Sequence, residues 1–282
     1  MPMKFVDPKT DIAFKKIFGD QAHKQILIEF LNEILDLAHP IEDLQINNTY
    51  QPPKVYGLKE TMLDIKATDT TKREFIVEMQ VEKEKAFAKR ALYYSSKAYS
   101  QQLDTAQKYD ALKPVIFLGI LDFSIFDHAE ACSRHLILNT NNQHHDLKDL
   151  EFNFIELPKF TKTETELAST ADKWLYFIKH ADDLNHIPSN TDTPALQQAY
   201  QIAAQHGWTK EELEIYEYEG LRLGRARNIL ETAKMDGKAE GRVEGKLDVA
   251  RNLLAIMDDD TIAQLTGLDK PIIARLRTDY HD

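Results

Sequence analysis

E-T-M-L-D-I-K-A-T-D-T-T-K-R-E-F-I-V-E-M-Q-V-E, residues 60–82, is the stretch on which the reading of the whole chain turns. Met62, Leu63 and Ile65, then Phe75, Ile76, Val77, Met79 and Val81, form two β-prone runs. The polar segment T-D-T-T-K-R between them has turn chemistry. The pattern predicts a β-hairpin. Strand side chains alternate faces, so Asp64 shares a face with Lys66, and Glu78 with Gln80. A hairpin centred on Thr71 places Asp64 directly across from Glu78. Opposed Cβ atoms lie roughly 4.5–5.5 Å apart. Two carboxylates that close repel and raise each other's pKa. A hard divalent cation relieves the repulsion, and Mg²⁺ is commonly held by one or two carboxylates plus water and phosphate oxygens. The same pattern also describes the wet face of an amphipathic hairpin, with Lys66 screening two solvated acids. Apolar neighbours on both sides of each acid (Leu63, Ile65; Val77, Met79) favour central strands.

Upstream, Asp7-Pro8 reads as an N-cap followed by a first-turn proline. A short helix then runs to Phe18 and stops at Gly19. Asp11, Phe14, Lys15 and Phe18 share one face of it. The phenylalanines read as core, and Asp11 and Lys15 as an ion pair one turn apart. A second helix is expected over 21–36, then a strand and loop over 41–58 with Pro52-Pro53 barring helix.

Downstream, 84–107 reads as a helix with Ala86, Ala91, Leu92, Tyr99 and Leu103 among its apolar positions. Arg90, Tyr93, Tyr94, Lys97 and Gln101 give it a polar-aromatic surface suited to phosphates and to stacking on sugars or bases. Tyrosines at this spacing equally serve as core. Pro114 opens the uniformly apolar strand V-I-F-L-G-I-L-D-F, and two further strands are expected over 134–140 and 151–157. Helices follow at 164–182 and 193–206. Thr209 and Glu212 then form a capping box that starts a long helix over 209–257, with Trp208 as its staple. Gly220, Gly224, Gly237, Gly241 and Gly245 interrupt that helix. Each costs about 1 kcal/mol, a penalty that either close helix packing, as in self-association, or a frayed polar connector accounts for. The end, 258–277, resembles a helix–turn–helix in which Lys270, Arg275 and Arg277 meet phosphate, and serves equally as a hairpin for packing or dimerisation.

Composition sets limits. The 282 residues are 43% apolar, enough for a large core. Cys132 is the single cysteine, which excludes an internal disulfide and a Cys-rich zinc site and suits a reducing cytoplasm. The N-terminus lacks the apolar segment of a signal peptide, and the run Val115–Leu121 is too short to span a membrane. The net charge of −11 argues against nucleic acid at first sight. Residues 83–113, however, carry seven Lys/Arg against three acids, and acid concentrates in E-E-L-E-I-Y-E-Y-E, 211–219. No H-E-x-x-H, P-loop or G-x-S-x-G pattern occurs.

Six stretches together resemble the Rpn family of recombination-promoting nucleases, or putative transposases, within the PD-(D/E)XK superfamily. They are D-P-K-T-D-I-A-F-K-K-I-F-G (7–19), L-I-E-F-L-N-E-I-L (27–35), L-D-I-K-A-T-D (63–69), I-V-E-M-Q (76–80), K-R-A-L-Y-Y-S-S-K-A-Y-S-Q-Q-L (89–103) and Y-D-A-L-K-P-V-I-F-L-G-I-L-D-F (109–123). The resemblance implies an α/β fold, with an αβββαβ restriction-endonuclease-like core of mixed sheet flanked by helices and an α-helical C-terminal region. It implies DNA cleavage with Mg²⁺ or Mn²⁺, Asp64 and Glu78 matching the family's metal-binding acids. Gln80 stands where the wider superfamily has lysine; it is assigned to the attacking water or the metal shell, with Lys66 as a substitute cation. The first helix flanks the site in the family, so Asp11 is a candidate for metal and Lys15 for DNA, beside Arg90, Tyr94, Lys97 and Gln101. The expected organisation is a nuclease-like domain (1–160), a helical extension (161–207) and a glycine-interrupted helix with a terminal hairpin (208–282). The expected protein is a cytoplasmic, metal-dependent endonuclease acting on DNA in recombination or mobile-element biology. It has no membrane partner or small-molecule cofactor, and the C-terminal helices offer a route to a homo-oligomer. The alternative is a catalytically inactive module of the same fold that binds DNA or protein.

Overall fold

The computed structural model describes residues 3–51, 61–103 and 107–281; the Pro52-Pro53 break expected from the sequence lies outside them. Two compact units divide the chain, Met1–Gly220 and Leu221–Asp282.

The first unit begins with a turn rather than a helix. Asp7 does not act as the N-cap. Its carboxylate accepts the Lys9 N–H (2.9 Å) and the Lys9 ammonium (2.8 Å), while its carbonyl accepts the Thr10 N–H. This local bonding competes with helix formation, and α1 starts later, over Asp11–Phe18. It ends at Gly19, as expected. A short 3₁₀ turn leads into α2 (Lys24–Ile34).

Strands β1 (Leu44–Asn47), β4 (Ile65–Asp69), β5 (Glu74–Gln80), β6 (Val115–Leu121), β7 (Cys132–Ile137) and β8 (Leu147–Glu156) form a six-stranded mixed sheet in the order β1-β4-β5-β6-β8-β7. β5, β6 and β8 run parallel; the other pairings are antiparallel. The two-residue strands β2 (Tyr50–Gln51) and β3 (Thr61–Met62) pair as a separate ribbon. Helix α3 (Phe87–Gln101) makes the crossover from β5 to β6, as parallel neighbours require. Every residue of β6 is buried, in keeping with its uniform hydrophobicity.

Two apolar layers sandwich the sheet. On one face Ile65, Val77, Ile116 and Ile155 pack with α1, α2, α4 (Thr170–His180) and α5 (Pro194–Ala203), around Phe14, Phe18, Phe30 and Trp174. On the other, Ile76, Phe117 and Phe154 meet Phe87, Ala91 and Ala98 of α3. The buried stripe of α3 therefore runs through Phe87, Ala91, Ser95 and Ala98. Leu92, one of the apolar positions of the expected helix, is 53% exposed. Helices α4 and α5 share the core of the sheet, so the first unit runs through 160 and 207 without a break.

Helix α6 spans Lys210–Leu253. The Thr209–Glu212 capping box forms at its start, with reciprocal bonds of 2.8 and 3.2 Å. In the second unit α7 (Asp259–Thr266) turns at Gly267, whose φ of 63° is left-handed, into α8 (Lys270–His281). Ala250, Leu254, Ile262 and Ile273 form its small core. Arg277, expected to face phosphate, instead bonds Asp259 and the carbonyls of Leu254 and Met257. Those carbonyls lie past the end of the α6 ladder and need donors.

Candidate active site

The site forms at the open end of the β4–β5 hairpin, just beyond the last ladder pair, Ile65 with Val77. The loop is set by Asp69, only 3% exposed, whose carboxylate accepts the Thr71 N–H and hydroxyl, the Arg73 N–H and the Arg73 Nε–H, all between 2.7 and 2.9 Å. Lys72 takes a positive φ of 71° to close it. The resulting register pairs Ile65 with Val77, so Asp64 falls opposite Glu78. There the backbone bends and side chains replace the ladder. The Asp64 N–H donates to Glu78 Oε1 (3.0 Å), and Asp64 Oδ2 accepts the Met79 N–H (2.8 Å).

Both acids pay for this position. Burial pushes the Glu78 carboxyl up to about 8, and the Asp64 charge adds to the shift. Asp64 is also raised, first by burial; the Met79 N–H opposes the rise and the Asp11 charge adds to it. Lys15 and Arg90 are the cations whose fields favour ionisation of both.

Lys15 extends from α1 and holds Asp11 at 2.7 Å. Burial lowers its pKa, but the Asp11 hydrogen bond and the charges of Asp11, Asp64 and Glu219 outweigh that, and it stays protonated more firmly than usual. Arg90 projects from α3: Nη2 donates to Gln80 Oε1 (2.5 Å) and Nη1 to Glu84 Oε2 (2.6 Å). Tyr94, one turn on, carries a hydroxyl raised first by burial and then by the Glu78 charge. The structure thus gathers Asp11, Lys15, Asp64, Glu78, Gln80, Arg90 and Tyr94. Lys66 bonds elsewhere, to Glu74 (3.0 Å), toward the turn end of the hairpin. Lys97 and Gln101 lie further along α3 and are engaged within the protein.

Sequence reading missed Glu219. Thr10 lends no side-chain cap to α1. Glu219 Oε2, on α6, accepts the Ile12 N–H instead (3.3 Å), and it places a charge near Lys15. Glu212 bonds Lys16, and the Tyr216 hydroxyl accepts the Asp7 N–H (2.9 Å). Residues 212, 216 and 219 share one helix face. That spacing inside the acidic run was the available signal, although nothing in it named α1 as the target.

Among the described residues no group of three or more His, Cys, Asp or Glu is arranged to hold a metal ion. The donor set is two carboxylates, hard oxygen ligands at a desolvated position whose charges repel. That fits Mg²⁺, which keeps several waters and takes few protein ligands, and a cation there offsets the repulsion that raises both pKa values.

The sequence model for the PD-(D/E)XK nuclease family transposases matches residues 8–232. No curated protein and no solved structure gives a match. The mixed sheet, the acids opposed on the β4–β5 hairpin and a match over most of the length agree: the chain belongs to the PD-(D/E)XK nuclease family transposases.

Proposed function

We propose that the protein hydrolyses DNA phosphodiester bonds with Mg²⁺ or Mn²⁺, acting within the strand, in recombination or mobile-element biology. One observation carries the reading: the buried Glu78 and the half-buried Asp64 are opposed and bonded to each other's strand, with raised pKa values that a divalent cation would relieve. Asp64 and Glu78 would hold such an ion, which would supply positive charge to the phosphate and lower the pKa of the attacking water. In the reaction the water oxygen bonds to phosphorus as one P–O ester bond breaks. The water gives up a proton, the departing sugar oxygen gains one, and a phosphate monoester and a hydroxyl remain. Asp11 holds Lys15, whose positive field favours the ionised form of Asp64 and so its readiness to take a cation. Tyr94 and the exposed Tyr93 on α3 offer aromatic surface to sugars and bases, with Lys97 and Gln101 beyond them. The single thiol suits a cytoplasmic setting, and no helix among the described residues is long and apolar enough to cross a membrane. Contacts through the C-terminal helices are proposed to bring copies of the chain together.

The test is cleavage of supercoiled and linear DNA with Mg²⁺, Mn²⁺, Ca²⁺ or EDTA, with Asp64→Ala in parallel. Cleavage is expected only with Mg²⁺ or Mn²⁺, on the supercoiled substrate as well, and is lost by at least about 10³-fold in a folded Asp64→Ala protein. Cleavage retained in that variant removes the assignment. DNA binding without cleavage under any metal moves the protein to the non-catalytic reading.

A further inference from the structure

Gln80 occupies the lysine position of the wider motif but has no charge to give. The structure shows what its amide does instead. Oε1 is taken by Arg90 Nη2 at 2.5 Å, and Nε2 donates to the Glu82 carbonyl at 3.0 Å. Both ends of the amide are thus engaged, the oxygen by Arg90 and the nitrogen by the Glu82 carbonyl. Arg90 is held on further sides: Nη1 bonds Glu84, and the guanidinium lies 4.8 Å from the Phe87 ring centroid and 5.8 Å from that of Tyr94. We propose that Arg90 is the phosphate-binding cation of this site and that Gln80 is the positioning residue that aims it.

The assignment rests on the nuclease reading and adds a division of labour to it. A guanidinium has five N–H donors; among the described residues Gln80 and Glu84 engage two of them. Its planar fork suits phosphate oxygens, and it stays charged at every working pH. Two other cations stand near the hairpin, each paired with an acid: Lys15 with Asp11 and Lys66 with Glu74. Among the described residues Arg90 is the cation seen to bond a neutral side chain of the catalytic strand, that of Gln80. Its field also reaches both Asp64 and Glu78. A lysine at 80 beside Arg90 would place like charges together. Lysine at 80 and arginine at 90 are therefore alternative ways to bring one cation to one place.

Cleavage is measured with Mg²⁺ for wild type, Arg90→Gln, Gln80→Ala, Gln80→Lys and the combinations of Arg90→Gln with each change at 80. Folding is checked by circular dichroism and melting temperature. Arg90→Gln is expected to lower kcat by about 10²-fold or more with a smaller change in KM. Gln80→Ala should cost about 10-fold in the wild-type background and little once Arg90 is gone, because its effect passes through the guanidinium. Arg90→Gln combined with Gln80→Lys should regain at least 10-fold over Arg90→Gln, a rescue that a purely structural role does not produce. Wild-type rates in folded Arg90→Gln overturn the proposal and leave the nuclease reading standing, as does a double variant no better than Arg90→Gln. An inert wild type overturns both.

Discussion

Glu78 keeps its proton to about pH 8, against an ordinary value of 4.5, because it is buried beside Asp64. Between those pH values the folded chain holds a proton that the unfolded chain releases. Stability contributed by this group therefore falls as pH rises from 4.5 to about 8 and levels off above that. Glu78→Gln removes the titration while keeping an oxygen for the Asp64 N–H. In EDTA at pH 8.5 the variant should melt higher than wild type by a few degrees, on the order expected for a domain of this size. The difference should shrink toward pH 5. Differential scanning calorimetry at the two pH values checks this, and equal melting temperatures at pH 8.5 would remove the account of a strained acid pair. The pairing of Asp64 with Glu78 was legible in the sequence because strand alternation and one turn fix it. Arg90 was legible as a cation on α3, but its bond to Gln80 was not, since helix period says nothing about which strand residue a long side chain reaches. Glu219 was hidden for a simpler reason: it meets Ile12 across 207 positions of sequence.

At the scale of elements, the β4–β5 turn governs the site from its far end. Asp69 accepts four bonds in the loop, and the register they set brings Asp64 opposite Glu78. Asp69→Ala leaves the Arg73 guanidinium without its main partner and the loop amides without an acceptor. Stability should drop by roughly 2–3 kcal/mol, seen as a lower urea midpoint at unchanged slope. A loss below about 0.5 kcal/mol would show that strand packing sets the register without the turn. The sequence marked T-D-T-T-K-R as turn-rich but could not show that one buried carboxylate organises it. The strands were easier to read because burial on both faces leaves an unbroken apolar run, as in β6. The start of α1 was misplaced because Asp7-Pro8 has the composition of a helix start, yet Asp7 spends its carboxylate on Lys9. On α3 the residues that face the sheet include the small Ser95 and Ala98, while the larger Leu92 is exposed, so side-chain size does not mark the buried face.

Across the whole molecule, local pattern recovered the kinds of element well and their grouping less well. The αβββαβ order survives as α1, β1, β4, β5, α3 and β6, extended by the β7–β8 hairpin. The boundary expected at 160 has no counterpart in the core, because Trp174, Phe177 and Tyr200 complete the layer that Phe14 and Phe30 begin. Composition shifts mark solvent exposure more than domain edges, and α4 and α5 carry apolar stripes that nothing local assigns to the sheet. The glycines of α6 were read as a packing face or a frayed connector. A Cβ added at Gly237, Gly241 or Gly245 meets nothing within 4 Å among the described residues.

That openness has a signature in deuterium labelling. Backbone N–H groups around Gly237, Gly241 and Gly245 have neither side-chain cover nor low backbone entropy in the unfolded chain to protect them. Their protons should trade with solvent on opening of the helix alone, whereas those of β6, sealed between two layers, should wait for the unfolding of the first unit. Mass-spectrometric exchange should show 236–246 labelled at least about 10³-fold sooner than 115–121. Protection of 236–246 that grows with protein concentration would instead reveal a second copy covering the glycines.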